Sequence, residues 1–280
     1  VSTAPQVTTR PPRGTLVARV LPPALLGGRR AGRLVERNLL VYRRTWIVIA
    51  SGFFEPLFYL LSIGVGIGKL VGTVTGPGGQ VISYTAFVAP ALLASSAMNG
   101  AIYDATFNIF HKLKFAKIYD AVLATPVGVT DVALGEISWA LIRGTIYSAV
   151  FLLVMAVLGL VGSVWALLVL PVAVLIGFAF AAVGMAATSY MRSWQDFDFV
   201  QLAVLPLFLF SATFYPLTTY PPALQVIVQL TPLYHGVALV RALDTGAVGP
   251  GALVHVLYLA VMGVAGLAVT SRRLGHLLLR

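Results

Sequence analysis

Residues 166–190 read ALLVLPVAVLIGFAFAAVGMAATSY, and none of them is charged. A helix rises 1.5 Å per residue, so about 20 such residues cross the hydrocarbon core of a bilayer. The stretch therefore reads as a transmembrane helix. Working outward, five more spans of this kind are expected at residues 46–67, 84–110, 132–160, 199–214 and 252–270. The second and third exceed what a bilayer needs and are expected to extend beyond it. Composition agrees: of 280 residues, 59% are apolar and only 10% charged, whereas a soluble domain carries about 25% charge. The predicted fold class is an all-α membrane protein with six transmembrane helices. There is no cysteine, which excludes disulfides and thiolate metal sites.

Residues 1–28 are rich in Pro, Thr and Arg without periodicity and are expected to form a flexible basic tail. Residues 29–44 have two faces at 100° per residue. Arg29, Arg30, Arg33, Glu36, Arg37, Arg43 and Arg44 share one side; Ala31, Val35, Leu39, Tyr42 and Trp46 share the other. That pattern predicts an amphipathic helix on an anionic membrane surface, leading into the first span. Residues 45–272 then form the membrane domain, and 273–280 a second tail. The nineteen Lys and Arg set the expected orientation, because they concentrate on the cytoplasmic side. Only Lys69 and Arg241 fall on the opposite side and Arg143 inside a span. The remainder lie in the N-terminal segment, the loop with Lys112, Lys114 and Lys117, Arg192, and the C-terminal tail. Both termini are expected in the cytoplasm of a multi-pass cell-membrane protein. The basic charge marks topology and membrane lipids, not nucleic acid.

Between the last two spans, residues 221–243 carry Gln225, Gln229, Thr231, Pro232, His235 and Arg241. They are too broken for a simple span and predict a hairpin dipping into the membrane, packed on protein or lining water.

Few groups could carry chemistry. Gly64, Gly66, Gly68 and Lys69 imitate a phosphate loop, but Ile63 and Leu70 break the pattern that such a loop requires. No two of His111, His235, His255 and His276 have metal-ligand spacing on one helix, and no nucleophile–base grouping presents itself. The chain is therefore expected to be non-catalytic, with no cofactor of its own. A pump of this composition would take its energy from a partner chain; a stand-alone channel or ion-coupled carrier is the alternative. Glu55, ten residues into the first span and followed by Pro56, should face a partner or water at that depth. Asp104, Glu136 and Arg143 are further buried charges, and Asp104 and Glu36 both remain possible partners for Arg143. Residues 116–124 form a short helical run with Lys117 and Asp120 exposed, ended by Pro126. Aromatics such as Phe58, Tyr59, Phe210, Phe214 and Tyr215 suit helix packing or the lining of a path.

The order of these features resembles the permease subunit of type-2 ABC exporters. The resemblance covers residues 30–275 and rests on "LATPV" (123–127), "LGE" (134–136) and above all "FYPLTTYPPALQVIVQLTPLYHGVALVRAL" (214–243). The stretches "EPLFYLLSIGVGIG" (55–68), "SYTAFVAPALLASSAMNGA" (83–101) and "GFAFAAVGMAATS" (177–189) are most similar to nodulation-type lipo-oligosaccharide export permeases; daunorubicin-type drug permeases share the general plan. The resemblance implies two permease copies, most simply a homodimer, and two cytoplasmic ATPase subunits that carry ATP and Mg. It implies a coupling helix within 112–126 (Lys112, Lys114, Lys117, Tyr119 and Asp120), a connecting helix bearing Arg33, Glu36 and Arg37, and a re-entrant segment at 216–243. The first, second and fifth spans would line the conduit, with Glu55, Phe58, Tyr59, Asp104, Phe210, Phe214, Tyr215 and His235 as conduit or gate candidates. The implied cargo is a glycolipid, an oligosaccharide or polysaccharide, or an amphipathic drug.

Overall fold

The computed structural model describes residues 30–42 and 54–278. The expected tail at 1–28, the junction at 43–53 with Trp46, and Arg280 lie outside the described residues. Helix α1 (Ala31–Tyr42) precedes α2 (Phe54–Val71). A small hairpin, β1 (Thr73–Thr75) with β2 (Val81–Ser83), pairs antiparallel in the register Thr73–Ser83. There follow α3 (Tyr84–Phe115), α4 (Ile118–Leu123), α5 (Val129–Val157) and α6 (Val164–Thr188). The chain ends with α7 (Phe197–Leu209), α8 (Pro222–Leu230), α9 (Pro232–Thr245) and α10 (Gly251–Leu278). Helices α2, α3, α5, α6 and α10 are long and apolar enough to cross a membrane, and α8 with α9 form a pair bent by 89°. Apolar side chains such as Leu153, Val157, Leu253 and Leu257 are exposed on the outer surface, as lipid contact requires.

Helix α3 is the central column. Its side chains Ala89, Ala91, Ala94, Ala97, Ala101 and Ala105 are buried, and such small residues let neighbouring backbones approach closely where no hydrophobic force drives association. The same logic joins α6 to α10. A Cβ on Gly266 would lie 2.8 Å from the backbone of Ala182 and Val183, so only glycine permits that crossing. Ser83 caps α3 by accepting from the Ala86 amide at 3.2 Å. Pro232 opens α9 at its first turn, and Gly246, with φ +76°, ends it, the usual proline-first, glycine-last arrangement.

Three boundaries differ from the sequence expectation. Helix α3 runs on to Phe115 through π-helical turns at Asp104–Asn108 and His111–Phe115. Lys112 and Lys114 therefore belong to that long helix, and the short helix expected within 112–126 is only Ile118–Leu123. Second, the expected fifth span is helical only to Leu209, or about 20 Å at 1.5 Å per residue. The last helical bond runs from the Phe210 amide to the Pro206 carbonyl, and Ala212 then sits at φ +55°, outside the helical region. The chain continues as non-helical bends through Phe214 and Tyr215, and α7 alone is too short to count among the helices able to cross a membrane. Third, residues 273–278 are helix rather than tail, because Leu274 is buried and Arg273 stacks 4.6 Å from the Tyr190 ring.

Candidate functional site

The site grows from two buried charges and one buried amide. Lys112 Nζ lies 2.7 Å from Glu136 Oε2 and 3.3 Å from Asn38 Oδ1, while Asn38 Nδ2 donates to the same carboxylate at 3.2 Å. All three side chains are buried. Asn38 comes from α1, Lys112 from the π-helical end of α3, and Glu136 from the first turns of α5. One hydrogen-bonded cluster thus ties three helices together. Tyr119, the buried face of α4, places its hydroxyl beside Glu136. Neither Tyr119 Oη nor Glu136 Oε1 makes a hydrogen bond within the described residues. Burial and the neighbouring carboxylate push the Tyr119 phenol well above its ordinary pKa, so it stays neutral. Backbone contacts fix the same junction: Arg30 donates its amide to Asp131 at 3.3 Å and its guanidinium to the Pro126 carbonyl, while Asp131 caps α5 at the Gly128 amide, 3.0 Å away.

Glycine makes this close approach possible. A Cβ on Gly135 would stand 2.7 Å from Leu34 Cβ and 3.0 Å from the Ala31 carbonyl. The buried side of α1 is therefore Leu34 and Asn38 facing α5, whereas Leu39, Leu40 and Val41 are exposed. The two-sided pattern of α1 is present, but its inner face meets protein, and Leu39 points away from it.

A second link runs from α3 to α7. Phe110, Phe115, Trp194 and Phe197 form an aromatic cluster with centroids 5.2 Å apart for Phe110–Trp194, Phe110–Phe197 and Trp194–Phe197, and 5.3 Å for Phe115–Trp194. Phe107 adds a stack on Phe197 at 4.0 Å. The strand of chain before α7 is held by Asp196, which accepts from the Arg192 amide at 2.6 Å and the Ser193 amide at 3.2 Å. Those two amides hold the Asp196 carboxyl below its ordinary pKa. The cluster touches α4 through the two-residue connection 116–117, where Lys117 takes φ +46°.

The outer surface of this junction is a cleft of about 470 Å³ between α1 and α4, lined by Arg33, Leu34, Arg37, Lys117, Ile118, Ala121 and Val122, among others. Arg33 pairs with Glu36 at 3.1 Å in the open, where such a pair contributes little. The expected coupling residues divide. Lys114, Lys117 and Asp120 are exposed, with Lys117 in the cleft beside Arg33 and Arg37, whereas Lys112 and Tyr119 are buried behind it.

The conduit candidates divide as well. Glu55, Pro56, Tyr59, Ser95, Ser96, Asn99, Tyr103, Arg143, Tyr147 and Phe208 line a cavity of about 190 Å³ among α2, α3, α5 and α7. Asp104 is buried beneath it and pairs with Arg143 at 2.5 Å, which settles the partner left open between Asp104 and Glu36. Arg143 also lies 5.5 Å from the Tyr42 ring of α1. Phe58 and Phe210 are exposed, Tyr59 packs on Phe208 at 5.5 Å, and Phe214 meets Phe208 edge-on at 5.1 Å.

His235 is not on this path. It turns into α10, with its Nδ1 2.7 Å from His255 Nδ1 and its ring 3.9 Å from Tyr258. The bent α8–α9 pair is anchored by Arg241, whose guanidinium donates to the carbonyls of Phe87 (3.1 Å), Ala212 (3.0 Å) and Thr213 (3.3 Å). These include the carbonyls that the break after α7 would otherwise leave unpaired, which in an apolar interior costs several kcal/mol each.

The sequence missed the Lys112–Glu136–Asn38 cluster, the aromatic group around Trp194 and the His235–His255 contact. Its one usable signal was Glu136, a lone carboxylate in the apolar run 132–142.

Comparison with known proteins agrees with this architecture. The family model described as ABC-2 type transporter matches residues 30–244. Nodulation protein J of Rhizobium meliloti (strain 1021) is 32% identical over 223 residues, covering 79% of this chain and 82% of the relative. Nodulation protein J of Rhizobium leguminosarum bv. viciae is 30% identical over 245 residues, covering 85% and 93%. The inner membrane transport permease YadH of Escherichia coli (strain K12) is 24% identical over 198 residues, covering 69% and 74%.

Proposed function

From the premise that this chain belongs to the ABC-2 type transporter family and is its membrane-spanning permease, we propose that it forms half of the conduit of an ATP-driven exporter in the cell membrane. Two copies meet along α2, α3 and α7. Two ATPase subunits, which alone hold ATP and Mg, dock from the cytoplasm into the cleft between α1 and α4. The termini lie on that same side. The single observation that carries this reading is the pair of links behind α4. One is Tyr119 to Glu136, Lys112 and Asn38; the other is Phe110 and Phe115 to Trp194 and Phe197. A push on α4 would turn the end of α3 and move the start of α7 together, and α3 and α7 are walls of the Glu55 cavity. The permease is thus a two-state element biased by the nucleotide state of its partner.

The cargo proposed for that cavity is amphipathic: a glycolipid, an oligosaccharide or polysaccharide, or a drug with both characters. Tyr59, Tyr103, Tyr147 and Phe208 offer flat faces to a sugar ring or an apolar body, and Glu55, Asn99 and Arg143 offer hydrogen bonds. The test is reconstitution of the permease with and without its ATPase in vesicles. ATP-dependent movement of a labelled lipo-oligosaccharide only when both are present supports the proposal. Movement without ATPase or ATP would identify a channel instead.

A further inference from the structure

We propose that the large cavity between α7 and the α6–α10 pair is a binding site for an anionic phospholipid from the leaflet on the α4 side. The cavity measures about 620 Å³ and is walled by Phe180, Val183, Ala203, Leu207 and Met262, among others. It exists because α7 stands off its neighbours, with only Phe197 and Val204 buried among its residues. Water does not fill such a space, since each molecule needs two to four polar partners. The one hydroxyl in the middle of the wall, Thr106, already donates to the Ile102 carbonyl at 2.7 Å. An acyl chain meets the demand of the walls, which come from the long apolar helices α3, α6 and α10 and from α7.

The end of the cavity selects the headgroup. Arg192 and Asp196 stand at the mouth with Tyr190. The Asp196 carboxylate is already used by the Arg192 and Ser193 amides. The Arg192 guanidinium is exposed and makes no ion pair among the described residues. Arg273 lies 4.6 Å from the Tyr190 ring, and its Nε is buried without a hydrogen-bond partner. Arg192 at the mouth, with Arg273 stacked on the Tyr190 ring that also lines it, gives this end of the slot a basic character that matches a phosphodiester on an acyl chain, because the planar fork of Arg pairs well with phosphate oxygens.

This site is separate from the conduit cavity. Tyr103 and Phe208 face the Glu55 cavity, while Ile102 and Leu207, the preceding residues on the same helices, face this one. Helices α3 and α7 therefore stand between two chambers. A lipid in the second chamber is a resident brace for α7, not cargo, and its binding is measurable without the ATPase.

The experiment is native mass spectrometry of the detergent-purified permease exposed to equal amounts of phosphatidylglycerol and phosphatidylcholine. The wild type should retain phosphatidylglycerol about tenfold in preference, as one charged hydrogen bond is worth at least that. Arg192→Gln combined with Arg273→Gln should abolish the preference. Ala203→Trp, which fills the slot, should lower retention of phosphatidylglycerol in a protein whose melting temperature shows it folded. Equal retention of both lipids by the wild type, a preference that survives the double Gln change, or unchanged retention in folded Ala203→Trp would overturn the proposal.

Discussion

Replacing Lys112 with Met strands the Glu136 carboxylate in the interior. The two charges lie 2.7 Å apart, so their attraction is about 6 kcal/mol at an effective dielectric of about 20. Desolvation of both ions offsets much of that, and removing one partner of a buried pair costs about 3–5 kcal/mol because the other charge is left behind. Lys112→Met and Glu136→Leu should each lose roughly that amount. The double variant should lose much less than the sum, since no charge is then stranded and only Asn38 must find a new partner. The assay is a double-mutant cycle on the reversible unfolding of the permease from mild detergent into dodecyl sulfate. Additive losses, or single losses below about 1 kcal/mol, would show that the pair does not hold α3 to α5.

Other consequences are as specific. Gly135→Leu should lift α1 from α5, because even its Cβ would meet Leu34 at 2.7 Å; overpacking of this kind costs about 1–3 kcal/mol, and proteolysis within α1 should become faster while the membrane helices stay protected. Arg241→Met should leave the Phe87, Ala212 and Thr213 carbonyls without their donor, at about 1.5–3 kcal/mol per charged hydrogen bond, read as a lower unfolding midpoint that Arg241→Lys partly restores. Lys117→Glu with Asp120→Lys, both exposed on the docking side, should uncouple ATP hydrolysis from transport while leaving the permease folded; unchanged transport would move the docking site elsewhere.

The sequence made the spans legible because uncharged runs of sufficient length have no soluble alternative. It also showed the broken segment at 221–243, whose prolines and polar residues became the bent α8–α9 pair. The α1 helix was legible for the same reason, through its two faces. What was not legible depended on rotation and on distance along the chain. Lys112 reads as one of three solvated loop lysines, yet π-helical turns carry α3 onward and turn it inward to a carboxylate 24 residues away. Trp194 and Phe197 were passed over, because nothing local says that they meet Phe110 and Phe115 across the bundle. His235 and His255, 20 residues apart, share no helix on which spacing could be judged. The fifth span reads as continuous because Ser211, Ala212 and Thr213 are compatible with a helix; Arg241, on another element, lets them leave it.

The central claim is that a push on α4 reaches the conduit through the aromatic cluster into α7. The chain has no cysteine, so spin labels can be placed singly at Leu202, an exposed position on α7, and the distance between the two copies read in the complex with its ATPase. The account predicts that a non-hydrolysable ATP analogue changes that distance in the otherwise native protein and that Trp194→Ala abolishes the change without preventing nucleotide binding. A distance that does not respond to nucleotide, or that responds equally with Trp194→Ala, would contradict it.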